Sequence, residues 1–175
     1  MRLSGFVLLV ILVCVPQLAL AVQPFPAVEK AIPNMAQVGK GSLNTLLFDV
    51  YDIALYAPKG KWQRNQPHAL SILYKLSIDG EDLAERSADE MRLQKISPDK
   101  ITQWEQQLKA IFPDVKKGAT ITALHKPQQE TIFYGDGVEI GTITDPQFGP
   151  AFFDIWLGEK SSEPELRASL MGLPR

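Results

Sequence analysis

Few side chains in this sequence have the type and spacing for covalent or metal chemistry. His68 and His125 are far apart in the chain, each close to a proline at the end of an apolar run, so they read as surface residues rather than as a ligand pair or a general base. No H-E-x-x-H, C-x-x-C, P-loop, G-x-S-x-G or calcium-loop spacing occurs. Gly39-Lys40-Gly41-Ser42 has the composition of a phosphate loop but lacks its earlier glycine and a following helix, and reads better as a bend in a strand. Glu81, Asp82, Glu85, Asp89 and Glu90 crowd one segment, yet acids early in a helix favour its dipole and ordinarily face water. The sequence therefore predicts no catalytic residue, no metal ligand and no cofactor. What it offers is binding chemistry. Tyr51, Tyr56, Tyr74, Trp104, Phe152 and Trp156 combine large apolar surfaces with a few polar tips. They suit a cavity for an elongated apolar molecule with one anionic end, or simply a packed core.

The elements that must position these residues follow from periodicity. Runs rich in Val, Leu, Ile, Phe and Tyr predict strands over Ala36–Leu47, Phe48–Ala57 and Ala69–Ser77, with Pro58 and Gly60 closing the second. From Gly80 to Gln94 the period changes: Leu83, Ser87 and Met91 recur at helical spacing. A second helix opens at Ser97-Pro98, carries Ile101, Trp104, Leu108 and Ile111 on one face, and stops at Pro113. Strands resume at Ala119–Leu124, Thr131–Tyr134 and Val138–Ile143, the last two joined by an Asp136-Gly137 turn. A helix from Thr144-Asp145-Pro146 to Gly158 and a short one over Glu163–Met171, capped by Ser162, complete the chain. Strands, helices, strands, helices is the order of an α+β domain with helices on one face of an antiparallel sheet.

Ahead of this domain, the first 21 residues predict a signal peptide: Arg2, an apolar run from Phe6 to Val15 too short to span a bilayer, and Ala19-Leu20-Ala21 as the cleavage signature. The domain layout is thus 1–21 signal peptide, 22–34 an extended proline-bearing segment, and 35–173 the domain. Cleavage after Ala21 sends the mature chain to a periplasm or out of the cell, with no membrane span. It also removes Cys14, the only cysteine, and moves the formal charge from -2 to -3. That balance argues against nucleic acid and against an anionic membrane surface as partners.

Several runs in this order resemble the chalcone isomerase superfamily, most closely its bacterial exported branch. They are Val38-Gly39-Lys40-Gly41, Phe48 through Tyr56, Gly80 through Ser87, Ile111-Phe112-Pro113-Asp114-Val115, and Trp156-Leu157-Gly158-Glu159 through Pro164-Glu165-Leu166-Arg167 to Ser169-Leu170. The resemblance implies an open-faced β-sandwich, a large antiparallel sheet carrying a helical layer with a ligand cleft between. The plant isomerases add a phenolate to an enone with the aid of an arginine, two threonines, a tyrosine and an asparagine. Those positions fall at or near Lys40, Tyr51, Ile155, Leu83 and Glu90 here, and none is kept in kind. Lys40 keeps the charge of the arginine but not its bidentate fork.

The superfamily also holds non-catalytic fatty-acid binders, in which a basic residue and a tyrosine secure the carboxylate. The resemblance therefore implies a binder of a small apolar or amphiphilic molecule, with Lys40 as anion partner, Tyr51 or Tyr56 as donor, and Leu83, Glu90, Trp104, Ile155 and Trp156 around the ligand. Two alternatives stay open at the level of sequence. One is an isomerase or lyase acting on an enone or phenolic compound, with Tyr51 as acid. The other is a ligand-free envelope interaction domain whose cleft is filled by Trp104 and Trp156.

Overall fold

The computed structural model describes residues 25–173. The predicted signal peptide and cleavage site lie outside the described residues. A six-stranded antiparallel meander runs in chain order, β1 (Met35–Asn44), β2 (Asp49–Pro58), β3 (His68–Tyr74), β4 (Thr120–His125), β5 (Thr131–Gly135) and β6 (Val138–Ile143). Helices α2 (Gly80–Arg92) and α3 (Pro98–Ile111) fill the long β3–β4 connection, and α4 (Phe148–Leu157) and α5 (Pro164–Met171) the C-terminal stretch after β6. They cover one face of the sheet and enclose the main core, in which Trp104, Phe133, Phe148 and Phe153 are fully buried. The architecture is the α+β, open-faced arrangement that the residue pattern predicts.

Local chemistry accounts for the element ends. Asp136 (φ 45°) and Gly137 (φ 84°) both take the left-handed backbone that a two-residue hairpin turn requires. Pro98 and Pro164 occupy first-turn positions, where the missing N–H costs nothing. Ser97 and the residue before Pro164 stand at the helix starts without a side-chain capping bond; Glu163, not Ser162, takes the second of these positions.

Four expectations are corrected. The segment before the domain is not wholly extended, since α1 spans Pro26–Ala31, with Pro26 starting rather than breaking it. Val28 and Ile32 bury themselves there against Ala69, Leu124 and Ile132 on the face opposite the other helices. The first strand ends at Asn44, because Thr45–Phe48 forms the turn into β2. The fourth helix begins at Phe148, since Asp145 accepts the Gln147 N–H at 2.9 Å in a turn that precedes it. Finally, the two histidines are not surface residues. Antiparallel pairing sets His68 opposite His125, and α4 covers both, leaving them 2% and 3% exposed. Proximity to proline marked the strand ends correctly but said nothing about what packs on them.

Register decides which side chains can share a site. Tyr51 pairs with Tyr74, and Ile53 with Ile72, on the helix-covered face. One residue along each strand the direction reverses, so Tyr56, opposite Ala69, faces the α1 side.

Candidate functional site: a cleft between sheet and helices

A cleft of about 490 Å³ opens between the sheet and the helical layer at the end of the molecule bearing the β1–β2 turn. Ile72 and Ile121 form its sheet side, Leu83 and Phe112 its helical side, and Ile155 and Trp156 of α4 close it. Leu43, Asn44 and Thr45 stand at its rim beside Ser162 and Glu163. The volume lies within the roughly 300–1,000 Å³ of small-molecule sites, and such sites are typically apolar with a few placed polar groups.

Those polar groups are sparse here. Trp156 Nε1–H donates to the Tyr51 hydroxyl at 2.9 Å, so the phenol keeps its own proton for another acceptor. Tyr74 packs edge-on to Tyr51 with ring centroids 6.2 Å apart, and among the described residues its hydroxyl has no hydrogen-bond partner. Burial pushes the Tyr51 pKa up to about 12, with Glu163 and Glu90 adding to the rise and the Trp156 bond opposing it. Burial raises Tyr74 as well. Both phenols are therefore neutral hydrogen-bond donors at neutral pH, not bases.

The charges come mainly from α2. Leu83, Ser87 and Glu90 fall at i, i+4 and i+7, one stripe of the helix, and Asp82 and Arg86 flank it. Glu90 is 8% exposed and accepts from Arg86, whose side chain is 70% exposed. Glu90 departs from the ordinary water-facing habit of the acids in this segment, because its position on the Leu83 stripe turns it inward. Arg86 is the one cation lining the cleft among the described residues, against Asp82, Glu90 and Glu163.

The cleft brings together five of the eight residues predicted around a ligand: Tyr51, Leu83, Glu90, Ile155 and Trp156. It does not take in the other three. Lys40 is exposed and pairs with Ala54, while Gly41 and Leu43 pair with Ile53 and Tyr51. Cross-strand partners share a face, so Lys40 points away from the cleft by one step of the strand. It borders a shallow groove between β1 and α5, where Glu165 and Ser169 also lie. Tyr56 faces the α1 side. Trp104 sits in the core on α3, packed on Phe148 at 5.6 Å, with Nε1–H donating to Asp145 at 3.1 Å. Arg86 is what sequence reasoning missed. Its signal was available in principle, one turn from Glu90 and adjacent to the Leu83 stripe, but nothing in the sequence says which face of α2 meets a cavity.

A family model described as chalcone isomerase-like matches residues 34–172. The crystal structure of a fatty-acid binding protein from Arabidopsis thaliana superposes with a TM-score of 0.64 at 14% identity, covering 79% of this chain and 87% of that one. At that identity the likeness is one of fold. No curated protein matches the sequence. With the meander, the helical layer and the cleft between them all present, and a family match that spans nearly all of the described residues, this chain belongs to the chalcone isomerase-like family.

Proposed function

We propose that this protein is an exported, non-catalytic binder of a small amphiphile such as a fatty acid, of the bacterial exported branch of its family, and that the ligand occupies the cleft beside Tyr51. The observation that carries this reading is the open apolar cleft with two neutral phenols inside it and one guanidinium at its edge. The shared fold with the fatty-acid binding protein of Arabidopsis thaliana supports the choice of ligand class, and the 21-residue N-terminal pattern supports export. Trp156 forms a wall and Trp104 stays in the core, which speaks for a receptive cleft over one packed shut. The positions at or near Lys40, Tyr51, Ile155, Leu83 and Glu90, where none of the plant isomerases' polar residues is kept in kind, speak against enone chemistry.

Arg86, not Lys40, is the cation within the cleft. A carboxylate reaching it must compete with Glu90, and displacing Glu90 leaves a buried acid without its partner, an unfavourable outcome. A fatty alcohol needs only the phenols. The test is native mass spectrometry of protein purified from its exported fraction without detergent, with solvent extraction of what it carries and titration with a fatty acid and its alcohol. A stoichiometric adduct that Arg86→Ala or Tyr74→Phe weakens supports the reading. Failure of both amphiphiles to bind, with a clean apo mass, overturns it. The first residue of the exported protein tests the cleavage site directly.

A further inference from the structure

The β1–β2 turn is built in an unusual way. Hairpin turns favour Gly, Asn, Asp or Pro, yet this one presents Leu46, Leu47 and Phe48. They are 105%, 81% and 64% exposed, the most exposed large apolar run among the described residues. The tip is held in shape: Thr45 N–H donates to Phe48 O at 2.8 Å, and Phe48 N–H donates back to the Thr45 hydroxyl at 3.1 Å. A closed turn that aims three consecutive apolar side chains at solvent is not explained by packing within the chain.

Its position adds a second observation. Leu43, Asn44 and Thr45 on one side of the tip and Val50 on the other line the cleft. The tip thus adjoins the cleft mouth, with only Asn44 and Thr45 on one side and Asp49 on the other between it and the apolar lining residues Leu43 and Val50. We infer that Leu46, Leu47 and Phe48 insert into the interfacial layer of a zwitterionic lipid bilayer and set the cleft mouth against it.

The choice of occupant rests on area, shape and charge. Three side chains offer roughly 60–120 Å² each, far below the roughly 800 Å² per partner of a stable protein interface, so a second copy of this chain gains too little. A convex tip needs a matching concavity on a protein but none in a fluid bilayer. Gly41 to Val50 contains no lysine or arginine, and Asp49 adjoins the tip, so attraction to anionic lipid cannot supply the affinity. Apolar insertion can, as for interfacial anchors. That a ligand then passes between bilayer and cleft rests on the proposed function; docking of the tip does not.

The test uses the full chain with phosphatidylcholine vesicles. A Phe48→Trp variant reports the tip: its added fluorescence, taken against the unsubstituted protein, shifts to the blue and is quenched by brominated phosphatidylcholine. In vesicle flotation, Leu46→Ser/Leu47→Ser lowers the bound fraction at least tenfold with an unchanged melting temperature. The N-terminal segment is the same in every variant and cannot produce that difference. An unquenched tip, or equal flotation of the serine variant, overturns the proposal. So does a dimer of the unsubstituted chain that the serine variant dissociates, since the tip then serves a second copy. Soluble-ligand binding measured on the serine variant separates the two readings: retained binding with lost flotation upholds both, while absent binding with intact flotation removes the ligand and overturns the tip as well.

Discussion

At the residue scale, buried polar groups govern both the cleft and its pH response. Trp156 Nε1–H has the Tyr51 hydroxyl as its acceptor, so Tyr51→Phe leaves a largely buried donor unpaired and should cost about 1–3 kcal/mol in urea unfolding. Tyr51 is raised to about 12 from an ordinary value of 10.0. Its contribution to stability is complete below pH 10 and is lost as pH rises toward 12, because the unfolded chain ionises first. The Tyr51→Phe variant should show a shallower alkaline decline in melting temperature. The histidines act in the opposite direction. Burial lowers both His68 and His125 to about 4 from 6.5, and their rings lie 5.1 Å apart beside Arg64. A folded state that holds them neutral is fully favoured above pH 6.5 and loses stability as pH falls toward 4. Thermal melts between pH 7 and 4 should decline over that window, and imidazole resonances of the folded protein should not titrate until near pH 4. Titration with midpoints near 6.5 would contradict the burial.

At the element scale, the cleft depends on how closely helices approach the sheet. Gly39 in β1 lies under α5, where an added Cβ would stand 2.3 Å from the Ser169 carbonyl oxygen and 2.4 Å from that of Leu170. Both are backbone atoms and cannot rotate aside. Gly39→Ala should therefore destabilise by about 1–3 kcal/mol through overpacking and loosen α5, which chemical denaturation and hydrogen exchange of its amides would show. Gly80 allows a comparable approach between helix ends, at the start of α2, where the carbonyl of Phe112 at the end of α3 would be 2.2 Å from a Cβ. The glycines in Gly39-Lys40-Gly41 read from the sequence as a strand bend, and there is a register shift between Gln37 and Gly39. Their greater role is to admit α5, since Gly41 also meets Leu166.

At the scale of the molecule, a binder gains stability from what it binds. A ligand at a hundred times its Kd adds about 2.7 kcal/mol, a readily measured rise in melting temperature. Leu83→Trp should fill the cleft from α2 and abolish that rise while leaving the apo protein folded, because Leu83 is only partly buried. A ligand-induced rise that survives Leu83→Trp would place binding elsewhere, and the β1–α5 groove beside Lys40 would be the next place to look.

The α+β class, the order of strands and helices, the Asp136-Gly137 hairpin and the family resemblance are all legible in the residues alone. Each of these depends on local period, turn chemistry or ordered motifs, which short stretches of chain carry. The sequence also named Tyr51, Leu83, Glu90, Ile155 and Trp156, which the cleft gathers. The direction of each side chain depends instead on strand pairing and helix docking. Strand alternation turned Lys40 and Tyr56 away from the cleft, because a single step along a strand exchanges its faces. The docking of α2 brought Arg86 to the cleft's edge and buried Glu90, and the packing of α4 buried the histidine pair. Those outcomes depend on contacts between residues distant in sequence, and no local pattern contains them.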